Sequence, residues 1–317
     1  MYRKLRAMKG VILAAGKGTR LYPITKHIAK PLLPIANRPT LFYALDRLKE
    51  IGIADVCIVV GENEAQMREA LGDGTLLGVN LSYVRQTEPK GLAHAVACAA
   101  AFAGSDSFCL YLGDALYSQS LVPFAQRFVA SGCANLNLVK HVDDPSRFGV
   151  ANLDGERIVK LVEKPKEPES NFAMAGMYFF GPQIWSVLPD LQPSARGEFE
   201  ITDAIQMLID RGETVLAGIY EGEWFDTGTL ESFLETTRHL VGEGAMIAES
   251  SKVIGAIGHT VVVGGEAHVS CSVIEESVVL PGAHVHVGGS IRRCILAGRV
   301  DSEGDLQDVV RWNDAMQ

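Results

Sequence analysis

The sequence predicts an α/β protein, a mainly parallel mixed sheet with helices on its faces, continued by a short C-terminal left-handed β-helix. Three observations predict it. Apolar runs of strand length alternate with segments of helical period through the first half. A glycine-rich loop, Leu13-Ala14-Ala15-Gly16-Lys17-Gly18-Thr19-Arg20, follows the first of these runs. Beyond residue 243, aliphatic side chains recur every six positions with glycines between them.

In chain order, residues 1–8 carry Arg3, Lys4 and Arg6 without an apolar stretch and cleavage site behind them, and read as an N-terminal extension. The main domain is expected over residues 9–242. Val11 to Ala15, Val56 to Val60, Leu81 to Arg85 and Phe108 to Leu112 read as strands. Thr40 to Ile51 sets Leu41, Ala44, Leu45 and Leu48 at helical spacing after Pro39, and Glu64 to Leu71 and Leu92 to Phe102 are the next helices. Such alternation places ligands at the carboxyl ends of the strands. The glycine loop and Gly113-Asp114 both fall there. From residue 135 the pattern loosens into strands at Asn135 to Val142, Gly149 to Leu153, Ile158 to Glu163 and Met174 to Phe180. Helices resume at Gln183 to Leu188 and Ile201 to Arg211.

The tail has a different texture. Ile257, Val263 and Val269, then Val273, Val279, Val285 and Ile291, keep the six-residue period, with glycines at 258, 264, 282 and 288. A hexapeptide coil with one inward aliphatic residue per face accounts for it, assigned to residues 243–303. Residues 304–317 are expected to cap it as a short helix. In this reading His284 and His286 point one inward and one outward.

Hydrophobic content of 47% and charged content of 21% are those of a globular chain, so disorder is not expected. A net charge of −9 argues against a general nucleic-acid binder while leaving room for a local basic cluster around a small anion. The six cysteines show no zinc spacing and mostly lie in apolar runs, which points to buried thiols in a reducing, cytoplasmic setting. No apolar run approaches the ~18 residues of a membrane span.

The chemistry starts at the loop. Glycines after a buried strand let backbone N–H groups approach phosphates, and Thr19 and Arg20 add a hydroxyl and a guanidinium. It is neither a Walker A motif nor a full dinucleotide fingerprint, and alone it is a phosphate cradle or a structural turn. Lys26 and Lys30 follow, the latter within Lys30-Pro31-Leu32-Leu33-Pro34. An aspartate closing a strand, as at Asp114 or Asp226, is by itself either a turn or cap residue or a metal ligand.

The loop, the Lys30-Pro31 segment, Gly72-Asp73-Gly74, Gln86 through Gly91-Leu92-Ala93 and Gly113-Asp114 recur in one known order. They are followed by Glu163-Lys164-Pro165, Arg196-Gly197-Glu198, Glu200-Ile201-Thr202-Asp203 and Trp224-Phe225-Asp226-Thr227-Gly228. This set resembles the sugar-1-phosphate nucleotidylyltransferases over about residues 9 to 241, and within them the long-form glucose-1-phosphate thymidylyltransferases. The resemblance implies a Rossmann-like catalytic domain, Mg²⁺ as cofactor, and transfer of a nucleotidyl group from a nucleoside triphosphate, preferably dTTP, to glucose 1-phosphate. It implies Arg20, Lys30 and Asp114 as catalytic groups, with Asp114 and Asp226 on the metal. Leu13, Ala14, Ala15, Gly16, Gly18, Thr19, Arg20, Gln86 and Gly91 would bind the nucleotide. Gly149, Glu163, Lys164 and Met174 would bind the sugar phosphate. A homo-oligomer, as a tetramer, is implied, with neither nucleic acid nor membrane as partner.

The chemistry agrees with such a set. An attacking phosphate whose second pKa is about 6 is already dianionic near neutrality, so alignment and charge neutralisation are needed rather than a general base. Alternatives remain: uridylyl transfer, another hexose or amino-sugar phosphate, or a catalytically silent nucleotide-sugar-binding subunit. Ala115 departs from the Gly-Asp-Asn of the family and opens the question of the sugar, and Pro31 stands where short-form enzymes carry Gln.

Overall fold

The computed structural model describes residues 7–313, so the extension at 1–6 and the last four residues of the expected cap lie outside the described part. Nine strands form one sheet in the first of two compact units, Met1–Gly16 with Tyr43–Trp224. They are β1 (Lys9–Leu13), β2 (Asp55–Val60), β3 (Asn80–Arg85), β4 (Phe108–Leu112), β5 (Asn135–His141), β6 (Gly149–Asp154), β7 (Arg157–Glu163), β8 (Phe172–Phe180) and β9 (Val215–Ile219). Their order is β3-β2-β1-β4-β8-β5-β9-β7-β6. The first four are parallel, and β9 is parallel to β5. β8 runs antiparallel to β4 and β5, and β7 antiparallel to β9 and β6. The sheet is mixed rather than mainly parallel as expected: four of its eight neighbouring pairs are antiparallel, because β6 and β7 form a hairpin and β8 runs against both its neighbours.

Burial explains the apolar runs. Val11 and Ile12 are both 0% exposed, so β1 is covered on both faces and carries no polar alternation. Val11, Leu13, Cys57, Val59, Phe108 and Leu110 share a core with Ala93 and Val96 of the Leu92–Cys98 helix and with Ile201, Ala204, Ile205 and Leu208 of the Ile201–Asp210 helix. Opposite it, a Cβ on Gly10 would come within 2.9 Å of Leu48, so the helix ending at Ile51 packs on β1 where no side chain stands. Each fully buried Leu or Val here contributes about 1.5–3 kcal/mol. The expected 92–102 helix is broken at Ala99, with Ala100–Ala103 as a separate turn.

The second unit joins Lys17–Phe42 to Phe225–Gln317. Its helix Leu230–Val241 starts at a Thr229–Ser232 capping box, which satisfies two of the backbone N–H groups at that helix end. The sequence reading had no element there. Beyond it, short parallel strands stack in rungs: Val253 faces Val269, which faces Val285, which faces Val300. Val263, Val269, Val279, Val285 and Ile291 fill the core between them, as the six-residue period predicts.

Three expectations for this tail are corrected. Val273 is half-buried because a register irregularity between Ile254 and Ala256 gives the inward position to Ile274, and Ile257, opposite Ile274 on a strand paired on one side only, is 44% exposed. His284 and His286 both face outward, since residues two apart on a strand share a face, and Val285 and Val287 take the inside. The expected capping helix is instead two more strands, Leu306–Gln307 and Val310–Asn313, which continue the parallel ladder.

Candidate active site

The glycine loop divides between Gly16 and Lys17, so its two halves belong to different units. In the first unit, Leu13 is paired with Val59 and Leu112 in the neighbouring strands. The Ala14 N–H donates to the Val59 carbonyl at 2.9 Å, and the Gly113 N–H donates to the Leu13 carbonyl at 3.0 Å. Asn63 clamps the turn: its Nδ2 donates to the Ala14 carbonyl and its Oδ1 accepts from the Gly61 N–H, both at 2.9 Å. A Cβ on Gly61 would stand 2.8 Å from the Ala15 carbonyl, so that turn closes against the loop backbone. Asp114 follows Gly113, half-buried at the end of β4. Beside it Ala115 is buried, and its carbonyl accepts from the Tyr111 hydroxyl at 3.0 Å. Burial pushes the Tyr111 and Tyr117 phenols well up.

A second group in this unit surrounds Gly149. A Cβ there would meet Thr202 Oγ1 at 3.0 Å, Met174 at 3.1 Å and Glu163 Oε2 at 3.3 Å. The register of β6 and β7 places Gly149 opposite Glu163. Thr202 donates to Glu163 Oε2 at 2.6 Å, while Arg196 and Lys164 stand 3.3 and 3.5 Å from Oε1. The carboxylate is therefore held from both ends. Lys164 sits at φ 44, the left-handed region, with its N–H donating to the Phe148 carbonyl at 3.0 Å. Such a conformation at a non-glycine residue costs roughly 1–3 kcal/mol and is held by its surroundings. Burial raises the Glu200 carboxyl, with Glu163 adding to it, and raises Asp203 in the same way. The Trp224 indole nitrogen is buried with no hydrogen-bond partner among the described residues, and its ring lies 5.0 Å from that of Phe148.

Gln86 lies at the carboxyl end of β3, 9% exposed, with its N–H bonded to the Val60 carbonyl at 2.8 Å. Its Nε2 is 3.1 Å from the Gly91 carbonyl and 3.1 Å from His94 Nδ1. Gly91 is required by backbone: at φ 105, a Cβ would stand 2.5 Å from the Phe199 carbonyl.

The second unit carries Arg20 and Lys30. Gly18 adopts φ 63, and a Cβ there would press on Lys30 Cβ at 3.0 Å and on Thr25 at 3.1 Å. Thr25 Oγ1 donates to the Gly18 carbonyl at 2.8 Å, closing the loop ahead of the Thr19–Leu21 turn. Lys30 is 9% exposed, and its ammonium is 3.9 Å from Asp226 Oδ1. A Cβ on Gly228 would meet Arg20 at 2.8 Å and Asp226 at 2.9 Å. A buried lysine needs a carboxylate or a phosphate as counter-ion, and this arrangement holds one ready beside a guanidinium.

Among the predicted residues, the structure thus brings Gly149, Glu163, Lys164 and Met174 together, Gln86 with Gly91, and Gly18, Arg20 and Lys30 with Asp226. Gly16 has open space around its α carbon. Thr202, Arg196, Asn63 and His94 were not assigned roles from sequence, although Arg196 and Thr202 lie in motifs that were quoted. A small hydroxyl leading a helix carries no signal for a carboxylate 39 positions away. No three His, Cys, Asp or Glu side chains converge as a metal cluster among the described residues. Mg²⁺ requires only one or two carboxylates, with phosphate oxygens and waters completing its shell.

Residues 9–242 match the family model of the nucleotidyl transferases. The chain is 42% identical over 260 residues to a glucose-1-phosphate thymidylyltransferase of Streptomyces antibioticus, covering 81% of this chain and 72% of that protein. It is 39% identical to one from Neisseria meningitidis, covering 72% of this chain and 81% of the relative. A crystal structure of a Bacillus anthracis protein assigned as a glucose-1-phosphate thymidylyltransferase superposes with a TM-score of 0.68 at 38% identity, covering 73% of this chain and 94% of that one. A UDP-glucose pyrophosphorylase in complex with UDP-glucose gives 0.67 at 29% identity, covering 74% and 98%.

Proposed function

The chain belongs to the nucleotidyl transferase family, and from that premise we propose that it transfers a thymidylyl group from dTTP to glucose 1-phosphate, giving dTDP-glucose and pyrophosphate. The observation that carries this reading is the buried Lys30, set by Gly18 against Asp226 beside Arg20. Cations so placed neutralise the phosphates of a triphosphate and the charge that develops on departing pyrophosphate. The relatives named for this activity support it.

The sugar phosphate attacks the α-phosphorus in line with the leaving pyrophosphate. Glu163, held by Thr202 and Arg196, accepts hydrogen bonds from sugar hydroxyls, with Gly149 and Met174 lining the same place. Lys164 stands beside it as the cation for the sugar's phosphate. The backbone of Leu13, Ala14, Ala15 and Gly16, with Gly18 and Thr19, cradles the nucleotide's phosphates. Gln86 reads the base. The family's divalent metal is Mg²⁺ in this reading; Asp114 and Asp226 would hold it, and it would supply charge neutralisation and orientation of the phosphates.

The C-terminal parallel coil is read as a left-handed β-helix and as part of a homo-oligomer, a tetramer by resemblance. Six unpaired cysteines support a reducing, cytoplasmic setting. Uridylyl transfer is the second reading, favoured by the likeness to a UDP-glucose pyrophosphorylase. A panel of dTTP, UTP, dCTP, ATP and GTP against hexose 1-phosphates, read as pyrophosphate release, tests both. The reading expects the highest kcat/KM for dTTP with glucose 1-phosphate, and a clear preference for UTP would replace it with the second.

A further inference from the structure

We propose that His94 is a positioning residue: together with the Gly91 carbonyl it holds both protons of the Gln86 amide and leaves Oε1 for the nucleotide base, and so makes the site accept a pyrimidine bearing a proton on N3, thymine or uracil, and reject cytosine. The inference rests on Gln86 being the base-reading residue.

The Gln86 backbone is fixed by its bond to Val60, and the side chain by two contacts at its amide nitrogen, to Gly91 O and to His94 Nδ1. A peptide carbonyl only accepts, so the amide atom facing Gly91 has to be the nitrogen. That nitrogen has two protons. One goes to Gly91, and the other is left for His94, whose Nδ1 is then the accepting atom of a neutral ring with its proton on Nε2. Both donors of the amide are occupied, and Oε1 is the atom the amide presents, with no protein donor to it among the described residues.

The two anchors are themselves held. Gly91 is locked to the 198–200 segment: the Phe199 N–H donates to the Lys90 carbonyl at 2.7 Å, and the Ala93 N–H to the Phe199 carbonyl at 3.0 Å. His94 stands between buried Ala93 and Ala95 on the Leu92–Cys98 helix, which sets the direction of its side chain. A fixed carbonyl oxygen accepts from the N3–H of thymine or uracil. Facing cytosine, whose N3 is an acceptor, the same oxygen meets a lone pair, and the amide has no proton left to offer. A site built for one pattern of donors rejects the other because buried polar groups are left unpaired.

The test uses the full chain with glucose 1-phosphate and either dTTP or dCTP, measuring kcat and KM separately, together with equilibrium binding of each nucleotide without the sugar. In His94→Ala the amide keeps its bond to Gly91 but loses its second anchor, so Oε1 is less firmly held. The KM for dTTP is expected to rise about threefold to tenfold with kcat nearly unchanged, the size of one hydrogen bond. His94→Gln, which can still accept, restores the wild-type values. His94→Lys can only donate, so it pulls on Oε1 and leaves the second amide proton without its acceptor and available to the base, and the dTTP to dCTP ratio of kcat/KM falls at least tenfold. An unchanged ratio in His94→Lys, or equal losses for both nucleotides in all three variants, overturns the role of His94. A wild-type protein that neither turns over nor binds dTTP overturns the underlying reading instead.

Discussion

Thr202→Val isolates the hold on Glu163. Thr202 is 2% exposed and donates to Glu163 Oε2 at 2.6 Å, and valine keeps its shape while removing the donor. A hydrogen bond to a charged acceptor is worth about 1.5–3 kcal/mol. Arg196 at 3.3 Å and Lys164 at 3.5 Å remain on Oε1, so the carboxylate loses one restraint and keeps two. The lower end of that range applies, and about 1.4 kcal/mol is a factor of ten. The KM for glucose 1-phosphate is therefore expected to rise about tenfold, with the KM for dTTP within twofold of wild type. Steady-state pyrophosphate release, with each substrate varied in turn, measures both. Equal rises for the two substrates, or none for the sugar phosphate, refute the assignment of Glu163 to the sugar.

Gly18→Ala adds a Cβ at φ 63 against Lys30, whereas Gly132→Ala adds one at φ 65 with nothing within 4 Å. Chemical denaturation should show both destabilised by about 1–2 kcal/mol for the left-handed backbone, while only the first lowers kcat/KM, by tenfold or more. Burial holds the Cys57 thiol up at about 12, and Cys109 higher still, so iodoacetamide at pH 8 should leave both unlabelled until denaturant is added, as read by mass spectrometry. Burial raises Glu200, so the folded chain keeps a proton there that the unfolded chain has released. Stability then falls as pH rises from the ordinary glutamate value through the raised one, and Glu200→Gln flattens that slope in melts taken from pH 4 to 8.

Much of this was legible in the sequence because it is local. A strand covered on both faces reads as a continuous apolar run, and β1, β2 and β4 are such strands. The 40–51 helix announces itself by period and by Pro39. The site residues came through motifs: Gly149, Glu163, Lys164 and Met174 form one group and Gln86 with Gly91 another, while the group of Gly18, Arg20, Lys30 and Asp226 mixes residues named for the nucleotide, the catalysis and the metal. What escaped is only partly non-local. Val122–Ser131 and Leu230–Val241 were not read as helices, though both carry the spacing. The contacts of Thr202 with Glu163 and of His94 with Gln86 depend on how chain segments cross, which no spacing reveals. In the tail, the six-residue period located the core of the coil but failed at Val273, where one irregular rung moves the next residue, Ile274, inward. The histidines at 284 and 286 were misassigned although strand period alone puts them on one face.

The central claim is that this chain moves a nucleotidyl group, and pyrophosphate release from dTTP and glucose 1-phosphate in the presence of Mg²⁺ tests it most directly. Turnover by the wild-type chain is expected, with loss of at least a hundredfold in Asp226→Asn and in Asp114→Asn, and loss on chelation of the metal. Release of no pyrophosphate from any nucleotide and sugar phosphate pair, or full activity in both aspartate variants, would contradict it.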